Sequence, residues 1–132
     1  MMGFGKGLRA LVLEDDGITR LLLSKMLDRA GFAITIEETC AGARARVEGA
    51  RFDLIFADKN LPDGSGLDFA RDLKKRDPDC EVILMTADAT IGSVVDAMQS
   101  DIADYFVKPL DPLDSFVARV RRVVSLLDLK RT

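Results

Sequence analysis

Hydrophobic residues in this chain gather into short blocks that alternate with stretches of helical spacing, and most of the blocks stop abruptly at a polar residue. Residues 8–13 read Leu-Arg-Ala-Leu-Val-Leu and end in Glu14-Asp15-Asp16. A run of that length, bounded by charge, predicts a strand buried on both faces, as in a covered parallel sheet. Ile18, Leu21, Leu22 and Met26 then recur at helical spacing, and Gly31 is placed to end that helix. Residues 32–37 alternate weakly and include β-branched Ile34, Thr35 and Ile36, predicting a second strand. An Ala-rich helix through Ala41, Ala45 and Val47 closes near Gly49. Residues 52–57 form the third predicted strand, which again ends at an acid, Asp58. A loop with Pro62, Gly64 and Gly66 leads into a helix carrying Leu67, Ala70 and Leu73, which Pro78 breaks. Residues 81–86 are the clearest strand of all. Ile91, Val94, Val95 and Met98 fall at i, i+3, i+4 and i+7, an amphipathic helix. Residues 105–107 give a fifth strand ending at Lys108-Pro109. The last helix carries Leu113, Phe116, Val117, Val120, Val124 and Leu127 on one face, with Arg119, Arg121 and Arg122 mostly off it. Five strands alternating with five helices predict an α/β fold, a doubly wound parallel sheet.

Composition narrows the chemistry. The 132 residues suit one domain, residues 8–128, preceded by a glycine-rich flexible tail over residues 1–7. A formal charge of −3 argues against a nucleic-acid surface. No apolar run is long enough to cross a bilayer, and the start has no signal-peptide core. Met2 stands between the initiator and Gly3, so the myristoylation signal is weak. Cytoplasmic placement without membrane insertion is therefore expected. The chain has no histidine, which removes Ser-His and Cys-His catalysis. Cys40 and Cys80 stand alone, which argues against zinc and for buried free thiols. Chemistry must rest on carboxylates, Lys, Thr or a metal. The final helix runs almost to the last residue, so a single-domain chain without an output domain is expected.

In open α/β sheets the ligand site lies beyond the carboxyl ends of the strands. The first strand ends in Glu14-Asp15, the third in Asp58, the fourth in Thr86 and the fifth in Lys108. Carboxylates converging in a low-dielectric crevice repel one another and call for a cation. A hard divalent ion keeping several waters, Mg²⁺ in preference to Ca²⁺, suits such a set. Singly, each piece has a plainer reading. Glu14-Asp15-Asp16 suits an acidic helix start, Asp58 a turn, Thr86 a cap, and Lys108 a solvated charge. Their joint occurrence at successive strand ends favours a site.

The motifs Leu11-Val12-Leu13-Glu14-Asp15-Asp16, Asp58-Lys59-Asn60-Leu61-Pro62, Thr86-Ala87 and Tyr105-Phe106-Val107-Lys108-Pro109, with Gly66-Leu67, resemble the receiver domain of two-component response regulators. The resemblance runs from about residue 8 to residue 127 and implies a flavodoxin-like receiver fold with strand order 2-1-3-4-5. It implies that Asp58 is phosphorylated by a sensor histidine kinase or a histidine phosphotransfer protein. Asp15 and Asp58 would ligate Mg²⁺ directly, Glu14 through a water, and Asn60 through its backbone carbonyl. Thr86 and Lys108 would meet phosphoryl oxygens, and the Lys108-Pro109 peptide would be cis. Enzymatic activity would be limited to weak self-phosphorylation and self-dephosphorylation. The output would be a downstream protein target, from a monomer or a weak phosphorylation-favoured dimer.

The added charge gives Thr86 reason to move inward, and Tyr105 could then turn from an exposed to a buried rotamer. The surface of the fourth helix, fifth strand and fifth helix would change with it. Five positions depart from or vary within the family pattern. Asp101-Ile102 replaces the usual Gly-Ala pair, at a point where glycine suits a left-handed cap. Lys59 adds a positive charge without an assigned effect, and Asn60 and Asp88 occupy the positions that tune phosphoryl loss. Other readings fit less well. A haloacid-dehalogenase-type phosphatase needs an acid where Asn60 stands, and the glycines at 3, 5 and 7 precede the first strand, against a dinucleotide fingerprint. A non-phosphorylated adaptor of the same fold and a phosphorelay intermediate both stay open.

Overall fold

The computed structural model describes residues 3–88 and 90–131. The strands are β1 (Arg9–Leu13), β2 (Ala33–Glu37), β3 (Leu54–Asp58), β4 (Asn60–Leu61), β5 (Gly64–Ser65), β6 (Glu81–Thr86) and β7 (Asp104–Val107). The helices are α1 (Gly17–Ala30), α2 (Cys40–Gly49), α3 (Gly66–Arg76), α4 (Ile91–Met98) and α5 (Leu113–Lys130). Five strands form one parallel sheet in the order β2-β1-β3-β6-β7, the 2-1-3-4-5 order once the small β4-β5 hairpin is set aside. That hairpin occupies what the sequence presents as a simple loop.

The central strands show why continuous apolar runs fit here. Successive side chains on a strand point to opposite faces. Val12, Phe56, Ile83 and Met85 enter one core with α1 and α5, while Leu11, Leu13, Ile55, Ala57, Val82 and Leu84 enter the other with α2, α3 and α4. Both faces are covered, so neither register can afford a polar side chain. Helix starts are set locally: Asp16, Thr39, Ser65 and Thr90 each accept a backbone N–H with the side chain. Gly31 closes α1 in the left-handed conformation.

Four expectations need correction. Residues 3–7 are not held as a flexible tail. The Gly5 N–H donates to the Ala30 carbonyl at 2.8 Å, and Phe4 packs edge-on against Phe32. A Cβ at Gly5 would fall 2.3 Å from the Phe32 ring, so the segment is docked too closely for a side chain there. Residues 1 and 2 lie outside the described residues. In α1, Ile18 and Leu21 face solvent, and the buried side is Thr19, Leu23, Met26, Leu27 and Ala30. In α4 the apolar stripe likewise points outward: Ile91 is 84% exposed and Met98 77%, while Ser93 and Ala97 are buried. In α2 the buried positions are Cys40 and Ala43; Ala41 and Ala45 are exposed.

Candidate functional site

Register places the chemistry. Leu13 of β1 lies beside Ala57 of β3, Asp58 beside Met85 of β6, and Thr86 beside Val107 of β7. The residues that follow these positions therefore meet at one edge of the sheet. Glu14, Asp15 and Asp58 each offer a carboxylate oxygen, all within 4.8 Å of one another. Glu14 is wholly buried, Asp58 is buried and Asp15 is exposed. Asp16, the third acid of the run, caps α1 through Thr19, whose N–H and hydroxyl hold its carboxyl below the usual range.

Lys108 closes the cluster. Its Nζ lies 2.6 Å from Asp58 Oδ2 and 2.6 Å from Glu14 Oε1. Burial alone would lower the Lys108 pKa, but hydrogen bonds and charge from Asp58 and Glu14 outweigh it and raise it. Burial pushes the Glu14 carboxyl up to about 7, against the Lys108 contact and the Asp16 N–H, which both lower it. Asp58 Oδ1 accepts the Asn60 N–H at 2.9 Å, so both acceptor oxygens are fixed in direction. Asn60 itself is exposed. The Lys108-Pro109 and Asp111-Pro112 peptides are cis.

Gly66 is needed by close approach. Its N–H donates to the Lys59 carbonyl at 2.9 Å, and a Cβ there would sit 1.9 Å from the Asp58 carbonyl oxygen. The β4-β5 hairpin thus folds back directly over the residue that ends β3.

Thr86 is fully buried, and its hydroxyl oxygen accepts the Asp88 N–H at 3.0 Å. Tyr105 is half-buried, with its hydroxyl 3.1 Å from Ser93 Oγ and 3.2 Å from the Asp88 carbonyl. The exposed starting rotamer expected for Tyr105 is not the one held here. Asp101, where the family has glycine, does adopt the left-handed region, at φ 55°. Two participants went unassigned or unnoticed in the sequence. Lys59 donates to Ser93 Oγ at 2.6 Å, and Ser93 in turn reaches Tyr105. Nothing in the sequence pattern marked Ser93, because it lies between the apolar positions that drew attention to α4.

A family model described as the response regulator receiver domain matches residues 10–121. The chain belongs to that family. This receiver domain is 33% identical over 114 residues to the DNA-binding transcriptional regulator NtrC of Escherichia coli (strain K12), covering 86% of this chain and 24% of that protein. It is 30% identical over 117 residues to the response regulator protein PilR of Pseudomonas aeruginosa, covering 89% and 25%. The receiver thus spans about a quarter of the length of these relatives. Among solved structures, the non-phosphorylated HemR receiver domain of Leptospira biflexa superposes with a TM-score of 0.80 at 29% identity, over 89% of this chain and 94% of that one. A CheY-like receiver domain protein from Methanospirillum hungatei JF-1 shares the fold, with a TM-score of 0.86 at 23% identity over 93% and 98%. No described helix of the receiver is long and apolar enough to cross a membrane.

Proposed function

We propose that Asp58 of this receiver accepts a phosphoryl group from the phosphohistidine of a sensor kinase or phosphotransfer protein, in the cytoplasm. An Asp58 carboxylate oxygen forms the new P–O bond as the P–N bond to the donor imidazole breaks. The observation that carries the reading is the Lys108 ammonium 2.6 Å from Asp58 Oδ2, a fixed cation beside the atom where charge must accumulate. Phosphoryl transfer is mostly positioning and charge stabilisation, and a preplaced ammonium supplies both. Thr86, at the end of the neighbouring strand, is the hydroxyl available to a phosphoryl oxygen.

The acid set fits Mg²⁺. Its oxygens lie within 4.8 Å, and among the described residues buried Glu14 Oε1 meets only the Lys108 ammonium, which it shares with Asp58. An ion with its hydration shell answers such an oxygen. Glu14, Asp15 and Asp58 with the Asn60 carbonyl would hold the metal, which when bound offsets negative charge on the transferring phosphoryl group. The domain is a phosphoacceptor whose own activity is limited to assisting gain and loss of that group. Its output is a changed α4-β7-α5 surface offered to a protein partner.

Incubation with acetyl phosphate and Mg²⁺, followed by intact mass, tests this. Wild type gains one phosphoryl group only with Mg²⁺, and Asp58→Asn gains none. No gain in the wild type under any condition would leave the adaptor reading.

A further inference from the structure

We infer that Lys59 is a positioning residue that holds Tyr105 against α4 before any phosphoryl group arrives, acting through Ser93. The polar contacts form a directed chain. Lys59 Nζ carries only donors and gives one to Ser93 Oγ at 2.6 Å. Tyr105 has a single hydroxyl proton, which goes to the Asp88 carbonyl at 3.2 Å. The 3.1 Å contact between Ser93 Oγ and Tyr105 OH is therefore made by the Ser93 proton. Ammonium, serine hydroxyl and tyrosine hydroxyl thus donate in one direction, ending at the Asp88 carbonyl as acceptor, the arrangement in which each bond polarises the next.

Packing makes this chain count for more than its length suggests. Along α4 only Ser93 and Ala97 are buried, because the Ile91, Val95 and Met98 side chains face outward. A helix with so little apolar contact on the sheet is located largely by its polar ties. Ser93 stands in its first turn, where its own N–H bonds the Thr90 cap. Lys59 follows Asp58 directly, and its backbone N–H is fixed to the Met85 carbonyl at 2.7 Å. The residue after the acceptor is thereby fastened at one end to β6 and at the other to α4. Tyr105 completes the path to β7, at 3.2 Å from the carbonyl of the β6-α4 loop.

The proposal deepens the reading of Tyr105 as the switch residue, but the tie exists without phosphorylation and is tested without it. The chain has one tyrosine and no tryptophan, so intrinsic emission reports on Tyr105 alone. Acrylamide quenching of that emission is measured on the unmodified protein for wild type, Lys59→Met, Lys59→Arg, Ser93→Ala and the Lys59→Met/Ser93→Ala double variant. Loss of one hydrogen bond shifts a two-state equilibrium about fivefold, so Lys59→Met is expected to quench clearly more than wild type. Lys59→Arg, which keeps a charged donor, returns most of the protection, a rescue that loss of packing would not allow. Ser93→Ala reproduces Lys59→Met, and the double variant goes no further than either. Quenching unchanged in both Lys59→Met and Ser93→Ala overturns the proposal, and so does a double variant whose effect is the sum of the two. Ser93→Ala removes only one oxygen, so it decides the question even if Lys59→Met folds poorly. Failure of phosphoryl uptake at Asp58 would leave this result unaffected, which separates the two readings.

Discussion

At the scale of single residues, the site is a negative cluster held together by one lysine. Glu14 is the most expensive member, because it is fully buried and its charged form loses hydration that Lys108 only partly replaces. Its carboxyl binds a proton more tightly in the folded chain, at about 7, than at its ordinary value of 4.5. The stability that Glu14 contributes is therefore complete below about pH 4.5 and is lost as pH rises through about 7. Glu14→Gln removes the titration while keeping the shape. It should raise the melting temperature in EDTA at pH 8 and do so less, or not at all, at pH 5. Mg²⁺ should narrow the gap at pH 8, because an ion stabilises the charged wild-type cluster by mass action. Thermal unfolding at the two pH values, with and without Mg²⁺, checks this. A Glu14→Gln difference independent of pH would show that the carboxyl stays ionised throughout. A cluster arranged to be uncomfortable without its ligand is a common feature of sites whose stability is given up for function.

At the scale of elements, what was legible in the sequence depended on whether a face had to be assigned. β1, β3 and β6 were read within one or two residues because a strand buried on both sides needs no decision about facing. In α3, Leu67, Ala70 and Leu73 are buried as the spacing predicts; in α5, Phe116, Val120, Val124 and Leu127 are buried and Val117 packs against the core, while Leu113, at the start of that face, is exposed. In α1 and α4 the spacing did not give the buried side. An apolar stripe at helical spacing ordinarily marks the side toward the core, yet in α4 small Ser93 and Ala97 face the sheet and the large residues face out. The spacing is real, but spacing alone does not say which neighbour the stripe meets. A stability series separates the two orientations. Ile91→Gln and Met98→Gln should each change the unfolding free energy by less than about 0.5 kcal/mol, as exposed positions do. Phe116→Ala, in the core between Phe56 and Phe106, should cost about 3–5 kcal/mol. Urea denaturation of the three variants measures both. Losses above about 2 kcal/mol at Ile91 or Met98 would return those side chains to the core.

At the scale of the whole molecule, the two ends of the sheet carry different duties. The carboxyl ends gather Glu14, Asp15, Asp58, Thr86 and Lys108, and this gathering was legible because strand order alone brings the positions together. The contacts within it were not, since the Lys59–Ser93–Tyr105 path depends on side-chain directions that no spacing encodes. The amino end of β6 holds a second charged group, which serves the fold. Lys74 of α3 is buried and donates to the Pro78 and Cys80 carbonyls, each at 2.9 Å. It also lies 3.4 Å from Glu81, which pairs in addition with Lys130 of α5. One carboxylate thus ties β6 to the helices on both faces. Glu81 and Thr86 stand at opposite ends of β6, roughly 17 Å apart at the usual rise of a strand. Lys74→Met should therefore cost about 1–3 kcal/mol of stability, by leaving the buried Cys80 carbonyl without its donor. The rate of phosphoryl uptake per folded molecule should stay at the wild-type value. Asp58→Asn should do the reverse, abolishing uptake while leaving stability equal or higher, because one charge leaves a crowded site. Measuring both quantities on both variants tests the separation. A Lys74→Met protein that is fully folded yet phosphorylated more slowly would mean that β6 transmits strain along its length, and the two ends would have to be treated as one mechanism.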